Sequence, residues 1–431
     1  MTLSHCWGKV RFLTLTTKNI AALQREIVLA DLPATFQDAI TFARYNGVDY
    51  LWIDSLCIIQ DSVNDWQKES SLMESVYSNG FCNIAATEAS DGSGGCFFGH
   101  SSEACRIPTI DIPRHESTWH LAIGRFLKSS KKRRHFISPG TYSCHDQDFW
   151  VREITESTLR KHAWVIQERF LAKRVLYFSP RQIFFECNQL RACEVCPEYI
   201  PIVYSRDGIG VLRETLAIAK RQVRHHAPTT NTIRSALSAW SGLISNYSAC
   251  ALTYEKDRLI ALAGLARYFQ PFIGCRYLAG LWETEFVSQL LWKNAATSTH
   301  STTYQAPSWS WASRPGKVEI PYGTRYGEVA VNLLDIRVTA IGRSTFGQVT
   351  SGFVKMVGRL IPVSLKHPVF NRSINPPFEG SSFTFRTEKS RFCEETERVK
   401  QSTLCLMFGR GVKVFSELST AHHLSTTILC M

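Results

Sequence analysis

Apolar and polar positions change period several times along the first ninety residues. Phe36, Ala39, Ile40 and Ala43 recur at helical spacing behind Leu32-Pro33. That spacing predicts a helix capped by Asp31, with proline in its first turn and Gly47 as its stop. Tyr50-Leu51-Trp52-Ile53 is a short apolar run between turn formers that ends on Asp54, and it predicts a buried strand. Trp66, Met73, Val76 and Tyr77 lie mainly on one face of a second helix, capped by Asp65 and ended by Asn79-Gly80. Phe81–Thr87 predicts the next strand. Strand, helix and strand with short links form a βαβ unit, which implies parallel pairing and a right-handed crossover.

Residues 88–150 are less regular. Ser90-Asp91-Gly92-Ser93-Gly94-Gly95 reads as a loop, and Lys128-Ser129-Ser130-Lys131-Lys132-Arg133-Arg134 is a basic run in Ser-rich surroundings. A helix resumes near Leu159–Leu171. Val175–Phe178 and Ile183–Cys187 flank Ser179-Pro180-Arg181-Gln182, the pattern of a hairpin with a four-residue loop. From about residue 208 the period is helical, with stripes at Ile233, Leu237, Trp240, Ile244 and Tyr247, then Leu259, Leu262, Leu265 and Ala266, then Phe286, Leu290 and Leu291. Residues 329–363 return to strand-like runs, and no internal repeat is visible.

Length and charge refine this picture. A chain of 431 residues suggests two or three domains. Residues 1–169 carry 18 basic and 19 acidic side chains, whereas residues 170–431 carry 31 basic and 18 acidic. That step supports a boundary near 170 and makes the second part the side to meet an anionic partner. The expected organisation is an α/β domain over 1–170, a mainly helical region over 171–325, and a β-containing region with a poorly patterned tail over 326–431. No apolar run approaches the roughly 20 residues that span a bilayer, so no transmembrane segment is expected. No secretory signal is visible, so most of the 14 scattered cysteines read as free thiols of a reducing compartment, the cytoplasm. The basic run at 128–134 leaves a nuclear address open.

Four stretches carry candidate chemistry. In Leu3-Ser4-His5-Cys6-Trp7-Gly8 a thiol adjoins an imidazole, but neighbours on a strand face opposite ways, so a packed strand end competes with nucleophilic catalysis. In Trp52–Asp61, Asp54 falls at the carboxyl end of a presumed parallel strand, where ligands of open α/β sheets bind. Asp54 or Asp61 could hold a ribose hydroxyl, a cation or a catalytic proton, or Asp54 could satisfy the backbone of the following turn. Glu69, beyond Asp65-Trp66, could complete a helix cap or serve as a general acid or base. Gln167-Glu168-Arg169 is a polar triplet in an aromatic stretch, suited to a buried network or a ligand lining. Cys187, Cys193 and Cys196 lack an obvious fourth ligand for zinc, and no metal is expected. P-loop, GxGxxG, GxSxG and HExxH patterns are absent.

These motifs, in this order and spacing, closely resemble the fungal heterokaryon incompatibility (HET) domain. The resemblance rests on Leu3–Gly8, Leu32–Ile40, Tyr50–Asp61, Asp65-Trp66 with Glu69, and Ala163-Trp164 with Gln167-Glu168-Arg169. It covers residues 1 to about 170. More thinly, through Leu252-Thr253 with Asp257-Arg258-Leu259, Tyr277–Trp282 and Ala306–Ser313, it continues to about 315. Two departures stand out: Met1 lies only two residues ahead of Leu3, and His162 stands where the family often has Arg.

The resemblance implies a partly parallel α/β fold and a role in non-self recognition after cell fusion, with the domain as an effector of programmed cell death. Control by self-association or a protein partner is expected with that role. The HET domain is also distantly similar to TIR domains, some of which cleave NAD. In that comparison the Trp66-x-x-Glu69 element looks like the helix that carries the TIR catalytic glutamate, which makes Glu69 the candidate catalytic residue and NAD a possible substrate. The candidate pocket read from the motifs is Asp54, Asp61, Trp66, Gln167, Glu168 and Arg169. The rivals to the effector reading are therefore an NAD glycohydrolase and a basic regulatory protein that binds nucleic acid through residues 170–431. No recognised nucleic-acid motif supports the last.

Overall fold

A computed structural model describes residues 1–99, 108–112, 140–143, 146, 148–201, 205, 207–223, 227–294, 303–321, 331–342, 344–358, 360–362, 404–408, 411–414, 419–420 and 427–430. The basic run at 128–134 lies outside the described residues.

The fold is α/β. Its centre is a five-stranded sheet of β1 (Thr2–Ser4), β2 (Asn83–Ala86), β3 (Arg174–Phe178), β4 (Ile183–Cys187) and β5 (Arg191–Cys193), in that spatial order. The first three strands run parallel, and β3, β4 and β5 are antiparallel. The expected hairpin around Ser179–Gln182 is present. The strand expected at Tyr50–Ile53 contracts to one bridging residue: Trp52 pairs with Thr2 in parallel, donates to Met1 O at 2.9 Å and accepts from Leu3 N at 3.0 Å. Pairing stops there because Tyr50 stands out in solvent and the chain coils into the helical turn Asp54–Cys57.

Both faces of the sheet are covered, as period-2 strands with two apolar faces require. Leu3, Ile84, Ala86 and Phe178 face α1 (Ala34–Tyr45) through Phe36, Ala39 and Ala43. Ala85, Val175, Tyr177 and Phe184 face Trp150, Ile154 and Val165. Neither acid expected to cap a helix does so. Pro33 occupies the cap of α1, and the Thr35 amide is satisfied from afar by Gly92 O at 3.0 Å, so a tertiary contact replaces Asp31. In α2 (Val63–Asn79) Ser62 is the cap, accepting from Asp65 N at 3.3 Å, while the Asp65 carboxylate accepts from Ile59 N at 2.8 Å. Glu69 lies beyond this first turn and has no part in the cap.

α3 (Ala163–Leu171) runs from the sheet into a second, larger core. Ile166 and Phe170 pack there with α4 (Gly208–Val223), α5 (Thr230–Ser248) and α6 (Ala263–Ile273), and the Phe170 and Phe269 rings are 5.7 Å apart. Strands and core thus draw on both sides of residue 170. The core is rich in buried indoles: Trp240, Trp282, Trp309 and Trp311. A tight hairpin joins Tyr277-Leu278 to Leu281-Trp282 through Ala279 (φ +46°) and Gly280 (φ +98°), and Gly280 O accepts from both the Trp240 and Trp311 indoles. A Cβ on Gly280 would stand 2.6 Å from Trp311 Nε1, so only glycine fits. The strand-like region contributes β6 (Val331–Ala340) and β7 (Val349–Gly358), an antiparallel pair that buries Ile336, Val354 and Met356 in the same core.

Candidate functional site at the carboxyl ends of the parallel strands

Asp54 follows the residue that bridges β1, which sets it level with Ser4 at the carboxyl end of that strand. Its Oδ1 accepts from the Ser55 amide at 2.7 Å and its Oδ2 from the Trp7 indole at 2.8 Å. The side chain is 31% exposed, so a ligand can reach it. His5 Nδ1 lies 3.9 Å from Asp54 Oδ1. Burial holds the imidazole below its ordinary pKa, against the pull of Asp54, so this is a contact of a neutral ring rather than an ion pair. His5 meets Phe36 edge-on with centroids 4.8 Å apart, and Trp7, partly exposed, stacks over it at 6.5 Å. Cys6 turns to the opposite cluster, where burial pushes its thiol up to about 11. The sequential neighbours His5 and Cys6 therefore form no nucleophile–base pair.

Glu168 reaches the same level from α3. The Ser4 hydroxyl donates to its Oε2, Tyr77 on α2 hydrogen-bonds it, and Asn83 on β2 bonds Ser4 at 2.9 Å. Burial first, with the Asp54 charge adding to it against the Ser4 and Tyr77 hydrogen bonds, pushes this carboxyl up to about 7. An acid held near neutrality beside an accessible carboxylate is an arrangement suited to proton transfer.

The other highlighted residues are placed differently. Gln167 Oε1 accepts from Gly264 N at 3.0 Å and ties α3 to α6. Arg169 points into a buried ionic cluster: its Nε is 2.9 Å from Glu186 Oε2, and its Nη2 is 2.6 Å from Asp207 Oδ2. Tyr177 and Arg191 also bond Glu186, and the Trp150 indole bonds Asp207. Burial opposes ionisation of Glu186, yet Arg169, Arg213 and Arg191 outweigh it and hold it well below the carboxylate range. The triplet thus fans out to three neighbours. Asp61 clamps the amide and hydroxyl of Thr17 at 2.8 and 2.7 Å on the exterior, and those bonds lower its pKa. Trp66 packs edge-on against Trp164 at 6.4 Å. Glu69 pairs with Lys68 at 2.9 Å and is 19% exposed. Burial raises the nearby Cys57 thiol, and the charges of Asp54 and then Glu69 add to it. Asp54 thus lies near enough to Glu168 for its charge to act on that carboxyl, whereas Arg169, Gln167 and Asp61 are anchored elsewhere.

The sequence reading missed Ser4 and Tyr77 as partners of Glu168, and Glu186 and Asp207 as partners of Arg169. One signal was available: Glu186 alternates with Phe184 on the inward face of a strand, where an acid needs a partner. Beneath Ser4 and Asn83 lies a cavity of about 10 Å³, also lined by Arg160 and Arg169, room for one water. A wider groove of about 360 Å³, between Tyr247–Leu252 and Gly316-Lys317, shares none of these residues. Among the described residues no cluster of His, Cys, Asp and Glu is arranged to hold a metal ion, and no helix is long and apolar enough to cross a membrane.

Asp54 and Ser4 thus stand at the carboxyl end of the parallel part of an α/β sheet whose strands come from both sides of residue 170. Residues 1–168 match the family described as Heterokaryon incompatibility protein (HET). No curated protein and no solved structure matches the chain.

Proposed function

We propose that this protein is a heterokaryon-incompatibility effector in fungal non-self recognition and programmed cell death, acting through protein contact, either self-association or a partner. The HET match supports the general role. The observation that favours contact over turnover is the separate anchoring of Asp54, Glu69 and Arg169: to an indole, to a neighbouring lysine and to a buried ionic cluster. Trp7 and Asp54, accessible and joined, are the natural contact point. Inducible expression of the full chain in a filamentous fungus tests this reading. The expected result is loss of hyphal viability, relieved by Asp54→Ala in a protein that still folds. Harmless accumulation of the wild-type chain at high level overturns it.

A second reading is an NAD glycohydrolase of TIR-like mechanism. The observation in its favour is Glu168, raised to about 7 beside Asp54. It requires NAD loss by purified protein, abolished by Glu168→Gln or Glu69→Ala with folding intact. No turnover at high protein concentration, under conditions that promote assembly, removes it.

A further inference from the structure

Cys193 and Cys196 close a turn by exchanging both backbone hydrogen bonds. The Cys193 amide donates to Cys196 O at 3.1 Å, and the Cys196 amide donates to Cys193 O at 3.0 Å. Residues that exchange both bonds sit about 5.5 Å apart at Cα in antiparallel pairs, within the span that a disulfide bridges. Directly opposed residues of such a pair project their side chains from the same face, with Cβ atoms about 5 Å apart. The turn is also held in place. Glu194 N donates to Ile183 O at 3.2 Å, the Glu194 carboxylate accepts from Ile183 N at 2.7 Å, and Val195 N donates to Gln182 Oε1 at 3.3 Å. Little rearrangement separates this dithiol from a disulfide. Cys187, the nearby third cysteine, is engaged otherwise, accepting from the Gln189 amide at 3.4 Å.

We propose that Cys193 and Cys196 form a redox modification site, a dithiol that a small disulfide such as oxidised glutathione converts to an intramolecular disulfide. Cys196 is half-buried and Cys193 only 5% exposed, which sets the order of events. The Cys196 thiolate attacks one sulfur of the small disulfide. That S–S bond breaks, and the first glutathione leaves as a thiolate that takes up the proton Cys196 gave up. Cys193 then loses its proton, attacks the Cys196 sulfur and expels the second glutathione, which is protonated in turn. Two protein thiols are oxidised and one small disulfide is reduced to two thiols. The product staples the end of β5, the strand whose Arg191 bonds Glu186.

The experiment equilibrates the full chain in glutathione buffers of rising oxidised fraction, traps remaining thiols by alkylation and maps the fragments by mass. The expected result is a fragment carrying Cys193 and Cys196 that is lighter by two hydrogens and unalkylated, in buffers where Cys6, Cys82 and Cys96 remain fully alkylated. Cys193→Ser should leave Cys196 as a stable glutathione adduct, and Cys196→Ser should leave Cys193 without one. A fragment that stays doubly alkylated until the buried cysteines oxidise overturns the proposal. So does glutathione retained on Cys196 in the wild-type chain. The wild-type measurement needs neither variant to fold.

Discussion

The Trp7 indole donates to Asp54 Oδ2 across 2.8 Å, joining the loop after β1 to the helical turn after the bridging residue Trp52. Two segments 47 residues apart thereby share one accessible contact, with the neutral His5 ring packed beneath it.

Asp54→Ala removes the acceptor and should free the Trp7 side chain. The cost in stability should be small, about 1 kcal/mol, because Asp54 is partly exposed and water can replace it. The indole fluorescence should shift, and cell-killing activity in a fungal host should fall sharply. A chemical denaturation curve recorded alongside the viability assay separates loss of function from loss of fold.

Glu168 makes stability depend on pH. Its pKa is about 7 in the folded protein against 4.5 for the ordinary side chain. The folded state therefore binds the proton more tightly than the unfolded state does, and this contribution is fully present below about 4.5. It is lost as pH rises towards 7, by an amount on the order of 3 kcal/mol. Asp257, raised by burial to about 6, adds a slope of the same sign. Glu168→Gln should flatten the wild-type decline without abolishing it. Urea denaturation at a series of pH values reads the difference.

Arg169→Met should be strongly destabilising. It strands Glu186 and Asp207, both buried, and leaves their charge only partly answered by Arg191 and Arg213. Breaking one partner of a buried ionic cluster costs roughly 3–5 kcal/mol. The expected readout is a lower denaturation midpoint with the cooperativity retained.

Gly280→Ala should cost about 1–3 kcal/mol through its left-handed backbone alone, and more if Trp311 must move from the 2.6 Å contact. Gly47→Ala serves as the control, since Gly47 shares a positive φ but has open space at its Cβ position. Thermal melting of the two variants separates backbone strain from crowding.

Local sequence pattern specified most of the elements, and its motifs carried the resemblance to the HET domain. Period-3.6 stripes, short apolar runs and turn residues depend on neighbours a few positions away, so α1, α2, the β3–β4 hairpin and the helical second half were legible. The Asp54 motif placed that acid at a strand end by the same local logic. Which distant groups satisfy each buried charge emerged only from the packed fold. Gln167, Glu168 and Arg169 are consecutive, yet helical rotation sends them to α6, to Ser4 and Tyr77, and to Glu186 with Asp207. The Thr35 amide at the start of α1 is satisfied by Gly92 O for the same reason. Burial makes a partner obligatory, but its identity depends on the packing of distant segments, 164 residues apart for Ser4 and Glu168, and no local pattern encodes that.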